Sequence, residues 1–475
     1  MAPYGMKKYY CVVLILACCT FCRAQYVTIP DTNFVTWLNA NGFASCIAGN
    51  QLDTTCPAVL DINRIDCNGK NIYDLAGVQY FKNLDTLLCY DNSLSGIAEL
   101  PAALTYLDCS GNKITVLPAL PLGLRYFICG GNQLTSLPEL PLTLKYLSCS
   151  YNQLLSLPGL TAPMYNLDCS WNLIDSLPEL PPNLGNLDCS YNLLTNVPIL
   201  PELLTAFYCD GNLLTALPAL PDSIHWLSFS SLPIVTLPSE LPVRLLYLSC
   251  DHDNLSKLPP LPASLISLDC NNNQLDSLPA LPLDIQYIYC YTNRLTSLPV
   301  LPQSLNILNC SDNQLTELPS LPDSMNQLDI SSNPYLYCLP QINTITSFSF
   351  TYTNIECVPD YGQVASSTPV INTVPLCTNA YNPGNCADIS TGEANVAPNT
   401  FNLFPNPAHD EVEIILSTSD MPNEISMTDI TGREVLREVL TKSHLTLDVS
   451  MLIAGMYLIQ TSMNGEVKTA KLVKQ

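Results

Sequence analysis

Positive charge is scarce in this 475-residue chain. Its 18 lysines and arginines are outnumbered by 41 aspartates and glutamates, which gives a formal net charge of -23 at pH 7, and only 12% of the residues are charged. Phosphate backbones and anionic lipid surfaces recruit clusters of Lys and Arg. The composition therefore argues against nucleic acid and anionic membranes as partners. It also predicts a surface that is polar mainly through uncharged side chains.

Residues of the common catalytic motifs are scarce as well. The histidines are His225, His252, His409 and His444, and no nucleophile motif, zinc-protease signature or glycine-rich phosphate loop accompanies them. The one unusual combination is Asp251-His252-Asp253. It is compatible with an acid-base or metal site, but a solvated loop explains it equally well. We therefore expect no enzymatic activity, no metal and no cofactor.

Long apolar runs are lacking except near the N-terminus. Two lysines precede an apolar run over residues 9–22, and small residues allow cleavage after Ala24. The run is shorter than the roughly 18 apolar residues of a membrane span, and the arrangement is typical of a secretory signal. A lipoprotein signal acylated on Cys18 or Cys19 is the alternative.

A repeat with a period of about twenty residues fills most of the chain. One unit contains Leu104, Leu107, Cys109, Asn112 and Leu117, in the pattern L-x-x-L-x-C-x-x-N-x-L-x-x-L-P-x-L-P. Alternation of apolar and polar residues around the cysteine predicts a short, half-buried strand. Because one unit cannot bury its own apolar side, the units must stack into a continuous parallel sheet. The central positions are Cys67, Cys89, Cys109, Cys129, Cys149, Cys169, Cys189, Cys209, Phe229, Cys250, Cys270, Cys290, Cys310, Ile330 and Phe350.

This pattern closely resembles the leucine-rich repeat family, specifically the short bacterial form whose units end in LPxLP, over about residues 60–359. The resemblance implies a mainly β protein, a solenoid with a parallel β-sheet on its concave face. Proline fixes φ and lacks an N–H, so the return segment of each coil is expected to be extended. The step lengthens between Phe229 and Cys250, where Leu232 replaces the asparagine, and we expect a local bulge or kink there.

The repeated cysteine and asparagine are both predicted to be structural. Phe229, Ile330 and Phe350 occupy the cysteine position in three units, so this position requires an apolar side chain rather than thiol chemistry. Neighbouring parallel strands lie ~4.8 Å apart, farther than the Cβ separation that a disulfide prefers. We expect a reduced, buried ladder of thiols. The asparagine is expected to hydrogen-bond main-chain groups of the neighbouring coil.

Six cysteines outside the signal and the repeat are expected to form disulfides, because secreted proteins meet oxidising conditions. They are Cys46, Cys56, Cys338, Cys357, Cys377 and Cys386. Proximity in the sequence favours pairing Cys46 with Cys56 and Cys377 with Cys386. Cys338 and Cys357, on adjacent coils, form the third predicted pair. Six cysteines allow 15 pairings, so the connectivity stays open at this point.

A recognition surface is predicted on the concave side, where the residues three and one before each cysteine point. Aromatic residues with polar tips are favoured anchors at interfaces, although cross-strand packing of tyrosines explains the pattern as well. Calcium binding by the aspartates is a further alternative, but they are too dispersed for one site. The candidates are Tyr106, Tyr126, Tyr146, Trp226, Tyr247, Tyr287, Asp108, Asp168, Asp188 and Asp269, with Tyr151, Trp171 and Tyr191 at the adjoining turn edge.

The C-terminal part has a different pattern of short alternating strands, with a hairpin signal at Asn464-Gly465. The segments FPNP, ITGREV, AGMYLI and KLVKQ are similar to the C-terminal sorting domain of the type IX (Por) secretion system. That resemblance implies export across the outer membrane of a Gram-negative bacterium. The predicted organisation is a signal peptide (1–24), an N-terminal cap (25–60), the repeat solenoid (61–359), a C-terminal cap and linker (360–398) and a sorting domain folded as a small β-sandwich (399–475).

Together these features predict a binding protein that is secreted or attached to the outer cell surface. Leucine-rich repeats imply recognition of an extracellular protein through the concave face, which is an analogy at the level of the fold. Residues 399–475 are expected to contact the type IX secretion machinery. A glycan-binding surface adhesin and a passive structural protein of the cell surface are the alternatives.

Overall fold

The structure is a computed structural model. It describes residues 25–161, 163–360, 362–378, 382–384, 386, 401–404, 408, 410–416, 424–429, 433–439, 444–453, 455–463 and 466–474. The chain divides into two compact units, Met1–Ser390 and Thr391–Gln475. The predicted signal peptide, residues 387–398 of the predicted linker and the Asn464-Gly465 turn lie outside the described residues. Within the described residues, no helix combines the length and apolar character of a membrane span.

The N-terminal cap contains a short helix. Asp31 lies directly before it, and its Oδ1 accepts hydrogen bonds from the N–H groups of Asn33 (2.7 Å) and Phe34 (2.9 Å), satisfying donors that a helix start leaves free. Phe34 and Leu38 are fully buried and cover the apolar end of the solenoid. The elements are β1 (Tyr26–Thr28), α1 (Thr32–Leu38), a π-helical turn (Asn39–Phe43), a 3₁₀ turn (Ala44–Cys46), β2 (Ile47–Ala48), β3 (Gln51–Asp53) and α2 (Pro57–Asp61), with the strands in the order β1-β3-β2.

Sixteen parallel strands, one per coil, then form a single sheet in sequence order. At ~4.8 Å per strand the sheet is on the order of 70 Å long. A 3₁₀ turn at Val78–Tyr80 and another at Ile371–Thr373 flank its two ends. The strands are β4 (Arg64–Asp66), β5 (Thr86–Leu88), β6 (Tyr106–Asp108), β7 (Tyr126–Ile128), β8 (Tyr146–Ser148), β9 (Asn166–Asp168), β10 (Asn186–Asp188), β11 (Ala206–Tyr208), β12 (Trp226–Ser228), β13 (Tyr247–Ser249), β14 (Ser267–Asp269), β15 (Tyr287–Tyr289), β16 (Ile307–Asn309), β17 (Ser324–Asp329), β18 (Thr344–Ser349) and β19 (Gln363–Thr368).

The interior of the solenoid is a stack of leucines and cysteines. Leu104, Leu107 and Cys109 are fully shielded from solvent, and their equivalents in the other coils are buried in the same core. Complete burial of one such leucine contributes about 2 kcal/mol. All the repeat cysteines are unpaired and buried, which is the reduced ladder that the sequence predicts. The thiols of Cys89 and Cys189 donate to main-chain oxygens of the next coil, each at 3.4 Å.

An asparagine ladder ties consecutive coils together, as predicted. The Nδ2 of Asn112 donates to the main-chain oxygens of Cys89, Cys109 and Ser110 at 3.0 Å each. Its Oδ1 accepts from the N–H of Leu94, also at 3.0 Å. One buried side chain therefore satisfies four main-chain groups on two coils, and the same pattern recurs along the solenoid.

The irregular coil between Phe229 and Cys250 leaves the sheet intact. β12 and β13 pair in register, Trp226 opposite Tyr247 and Leu227 opposite Leu248, so the bulge or kink that we expected does not appear in the strands. The irregularity lies in the ladder, where Leu232 and Asp253 occupy two successive asparagine positions. The side chain of Leu232 has no polar group with which to continue the hydrogen-bond chain.

Three disulfides close the two caps, joining Cys46 to Cys56, Cys338 to Cys386 and Cys357 to Cys377. The first pairing agrees with the sequence prediction. The predicted pairs Cys377–Cys386 and Cys338–Cys357 are wrong, because coil stacking rather than sequence proximity selects the partners. A parallel bridge between Val358 and Leu376 sets Cys377 beside Cys357, with a Cα–Cα distance of 5.0 Å.

The segment that carries Cys386 returns to an earlier coil. The Sγ of Cys386 lies 3.7 Å from the main-chain oxygen of Tyr337, which places it beside Cys338, with 5.5 Å between their Cα atoms. The sequence between residues 338 and 386 gives no signal for this return. The connectivity therefore becomes evident only from the stacked coils.

The C-terminal unit consists of two antiparallel sheets around one apolar core. The sheets have the strand orders β20-β21-β24 and β23-β22-β25-β26. Their shared core includes Val412, Ile414, Met427, Leu447 and Ile459, all buried. The strands are β20 (Phe401–Phe404), β21 (Glu411–Leu416), β22 (Glu424–Asp429), β23 (Glu434–Val439), β24 (His444–Asp448), β25 (Gly455–Met463) and β26 (Glu466–Lys474).

Candidate binding face

The concave sheet carries two groups of aromatic rings separated by a gap. Tyr106, Tyr126 and Tyr146 form one group, with ring centroids 5.6 Å and 6.4 Å apart. In the other group, Trp226 and Tyr247 stack with centroids 5.5 Å apart and ring planes within 2°. Parallel in-register strands place these rings over one another because their side chains leave the same face at each step.

A depression lies between the two aromatic groups. Three successive strands, β9 to β11, place the small residues Asn166, Asn186 and Ala206 where the flanking strands carry Tyr146 and Trp226. The resulting hollow has a volume of about 420 Å³. Asp168, Asp188 and Tyr208 also line it. The sequence pattern that places aromatics along the sheet thus also creates a polar hollow where they are interrupted.

Carboxylates and serine hydroxyls form a network along the floor of the sheet. Asp168 accepts hydrogen bonds from the hydroxyls of Ser148 (2.8 Å) and Ser170 (2.7 Å). Asp210 accepts from the hydroxyl of Ser228 and the N–H of Ser230, both at 2.6 Å. The hydroxyl of Ser249 continues the network to Asp251 at 2.9 Å. The network fixes the carboxylates in place without neutralising them.

Burial raises the pKa of several of these carboxyl groups. In Asp188 burial is the main cause, the neighbouring charges of Asp168 and Asp210 add to it, and hydrogen bonds from Ser190 oppose it. Burial likewise raises the pKa of Asp210 and Asp269, with a contribution from the charge of Asp251. Stacked carboxylates that raise one another's pKa form a region of concentrated negative potential.

The predicted turn-edge aromatics form a second, exposed stack. Tyr151, Trp171 and Tyr191 have ring centroids 5.2 Å and 4.0 Å apart, and each is between 42% and 58% exposed. All three have φ between +52° and +55°, a conformation that disfavours bulky residues. The stack ends at Gly211, where a Cβ atom would lie 2.6 Å from the Tyr191 ring.

The Asp251-His252-Asp253 segment does not converge on one point. His252 is exposed and its Nδ1 lies 2.7 Å from Asp251, whereas Asp253 is 5% exposed and hydrogen-bonds the main chain of Leu232. Among the described residues, the only three potential ligands that meet closely are Cys357, Cys377 and Cys386, which are bonded in disulfides. The segment therefore lacks the geometry of the metal site considered from the sequence.

The structure brings some predicted site residues together and separates others. Tyr146, Trp226, Asp168 and Asp188 line the depression, while Asp108 lies on the earlier strand β6 and Tyr287 on the later strand β15. Sequence reasoning missed Asp210, and it considered Asp251 only within the Asp251-His252-Asp253 segment; both lie one residue after the repeat position rather than before it. The signal was present, because serine recurs at that position in seven coils, at Ser110, Ser150, Ser170, Ser190, Ser230, Ser311 and Ser331.

Residues 402–475 match the family of secretion system C-terminal sorting domains. This match agrees with the resemblance of the FPNP, ITGREV and AGMYLI segments. No protein among those with curated descriptions matches the chain.

Solved structures with leucine-rich repeats are similar to this chain. YopM from Yersinia enterocolitica is 36% identical with a TM-score of 0.51, over 58% of this chain and 64% of that one, so the chain spans less than two thirds of that structure. YopM from Yersinia pestis, described as a leucine-rich effector protein, is 29% identical with a TM-score of 0.54, over 64% of this chain and 89% of that one.

A third similar structure is the functional domain of InlJ from Listeria monocytogenes, which is described as including a cysteine ladder. It is 20% identical with a TM-score of 0.57, over 95% of this chain and 99% of that one. At this identity the likeness concerns the fold alone, a solenoid of stacked coils.

Proposed function

Because the chain is a short-type leucine-rich repeat solenoid with a secretion-system sorting domain, we propose that it is a binding protein that recognises an extracellular protein through its concave face. The sorting domain indicates secretion by the type IX system to the cell surface or the medium. We also propose that residues 402–475 contact the secretion machinery. The domain boundaries given above also stay a prediction.

The observation that carries the proposal is the depression between Tyr146 and Trp226. The coils are held together by the buried leucines and the asparagine ladder, so the fold does not need a hollow of about 420 Å³ on its concave sheet. Trp226 is 40% exposed beside it. Hollows with aromatic walls and a few fixed polar groups are typical of recognition sites.

A glycan is the second candidate ligand. The indole of Trp226, stacked on one side by Tyr247, offers its other face to a sugar in the depression, which the amide of Asn186 and the carboxylate of Asp188 also line. This observation favours a carbohydrate over a passive structural role. A protein remains the first candidate, because this ring face is only part of the aromatic surface on the concave sheet.

Site-specific photo-crosslinking tests the proposal. A photoreactive amino acid replaces Tyr208 on the concave sheet in the mature secreted protein, and the matched control carries it at Leu122, which is 85% exposed in a return segment. We expect a discrete protein adduct at Tyr208 that saturates with added extracellular protein, and no such adduct at Leu122. Equal labelling at both positions contradicts the proposal. Saturable binding on a glycan array that Trp226→Ala abolishes, without a protein adduct, favours the second candidate.

A further inference from the structure

Two carboxylates, which only accept hydrogen bonds, line the depression beside amides, phenols and an indole. The Oδ1 of Asn166 is buried and accepts no hydrogen bond from any described residue. The carboxylates of Asp168 and Asp188 face the same hollow and stack on adjacent strands in register. The Asn166 Oδ1 is closed to solvent, so the acceptors open to a ligand are the two carboxylates, which suit a ligand rich in N–H donors.

Negative charge at the depression is not balanced by the chain itself. None of its ten lining residues is positively charged. Within the described residues, no ion pair involves Asp168, Asp188 or Asp210. The whole chain carries a formal charge of -23. The missing counter-charge points to a cationic ligand group.

The walls of the depression select the shape of that cation. Tyr146 and Trp226 present rings on either side of the carboxylates, and Tyr208 lies between them. A guanidinium group is planar, stacks on aromatic faces and donates up to five hydrogen bonds in a fixed fork. An ammonium group is a compact point charge that uses such walls less well.

We infer that the depression binds an arginine-bearing segment of the protein partner, with a guanidinium held by Asp168 and Asp188 beside the ring of Tyr208, which is in register with Asp188 on the adjacent strand. This inference rests on the proposed function and specifies the chemistry of the ligand at that same face. The hollow spans β8 to β12, about 19 Å at ~4.8 Å per strand. That length accommodates an extended stretch of about five residues.

The test uses the mature protein and a fluorescent nine-residue Gly/Ser peptide that carries three arginines. The matched peptide replaces each arginine by citrulline, which keeps the shape and removes the charge. The protein variant is Asp168→Asn/Asp188→Asn, which keeps an oxygen acceptor for the Ser170 hydroxyl and the Ser190 N–H. Its control, Asp175→Asn/Asp276→Asn, removes the same charge from two exposed positions. Circular dichroism checks that all variants fold.

We expect saturable binding of the arginine peptide, detected by fluorescence anisotropy, that weakens at high salt. The affinity should fall at least about tenfold with the citrulline peptide and with the Asp168→Asn/Asp188→Asn variant, because each removes charge-assisted hydrogen bonds. The control variant should bind within about twofold of the wild type. Equal affinity for the arginine and citrulline peptides overturns the inference. An equal loss of affinity in Asp168→Asn/Asp188→Asn and in the control variant also overturns it. Binding of a chito-oligosaccharide in place of the arginine peptide, sensitive to Trp226→Ala, also overturns it.

The two proposals fail separately. If the Tyr208 photo-crosslink to a protein persists in the Asp168→Asn/Asp188→Asn variant and the arginine peptide does not bind, the concave face recognises a protein by other chemistry and only this inference is wrong. If the wild-type protein gives no crosslink, the proposed function itself is wrong.

Discussion

The Oδ1 of Asp253 accepts a hydrogen bond of 2.7 Å from the main-chain N–H of Leu232, and its buried Oδ2 has no hydrogen-bond partner among the described residues. In most other coils this position holds an asparagine whose Nδ2 donates to main-chain oxygens. An ionised carboxylate has no hydrogen to donate, so the neutral acid fits the ladder better. Burial, with the charges of Asp251 and Asp210, raises the pKa of Asp253 to about 7, against smaller opposing effects of the Leu232 N–H and His252.

This pKa predicts a pH-dependent weak point in the solenoid. An unfolded aspartate has a pKa of about 3.9, so the contribution of Asp253 to stability is fully present below about pH 4 and is lost as the pH rises toward about 7. Asp253→Asn should raise the free energy of unfolding at pH 8, on the order of 2 kcal/mol, and change it little at pH 4. Urea unfolding across this pH range measures the difference.

The exposed Asp276→Asn variant is the control for Asp253, since it removes the same charge from the return side. It should leave the pH profile of the wild type unchanged. If Asp253→Asn raises the free energy of unfolding equally at pH 4 and pH 8, the pKa of Asp253 does not differ between the folded and unfolded states.

The asparagine ladder should be costly to interrupt. Asn293→Ala removes the acceptor of the Leu275 N–H (3.0 Å) and the donor to the oxygens of Cys270 (3.0 Å) and Cys290 (3.1 Å). Leaving buried main-chain groups unpaired costs about 2 to 4 kcal/mol. Thermal unfolding should show this loss, whereas Gln314→Ala, one residue after the next ladder asparagine and exposed, should be near neutral. Equal effects of the two substitutions would contradict a structural role for the ladder.

The repeat thiols should resist modification while the protein is folded. Burial raises the pKa of Cys290 to about 12 and that of Cys67 similarly, and the thiolate is the reactive form. Titration with an aromatic disulfide reagent at pH 8 should label these thiols slowly in buffer and rapidly in guanidinium chloride. Fast labelling of the folded protein would mean that the cysteines face solvent and that the coils do not close as described.

The disulfide connectivity gives a prediction that sequence alone did not. Peptide mapping under non-reducing conditions should recover Cys338 linked to Cys386 and Cys357 linked to Cys377. After cleavage between residues 357 and 377, these two disulfides keep the fragments linked. With Cys338 joined to Cys357 and Cys377 joined to Cys386, the fragments would separate. Recovery of a peptide that joins Cys377 to Cys386 would contradict the way the C-terminal cap folds.

The repeat made the architecture predictable because each coil obeys the same local constraints. Phe229 in a cysteine position revealed that the position is apolar, and Asn112 in its fixed place predicted the ladder. Both inferences depend on contacts between adjacent coils, which a period of twenty residues defines.

The features that escaped prediction depend on contacts that the period does not encode. The partners of Cys338 and Cys357 follow from a chain return beyond the last coil. The depression arises because three successive strands carry a small residue at the same position, Asn166, Asn186 and Ala206. Aromatic residues on the flanking strands form its borders. Asp253 was interpreted with His252 as part of a solvated loop, although its spacing from Cys250 places it in the buried ladder.

The most direct test of the account is hydroxyl-radical footprinting of the mature protein, alone and with the partner that the Tyr208 probe captures. Tyr146 and Trp226 border the proposed site, whereas Tyr352 is 81% exposed outside it and serves as the internal reference. The account predicts slower oxidation of Tyr146 and Trp226 in the complex and an unchanged rate at Tyr352. Unchanged rates at Tyr146 and Trp226, with protection elsewhere or none, would contradict recognition through the concave face.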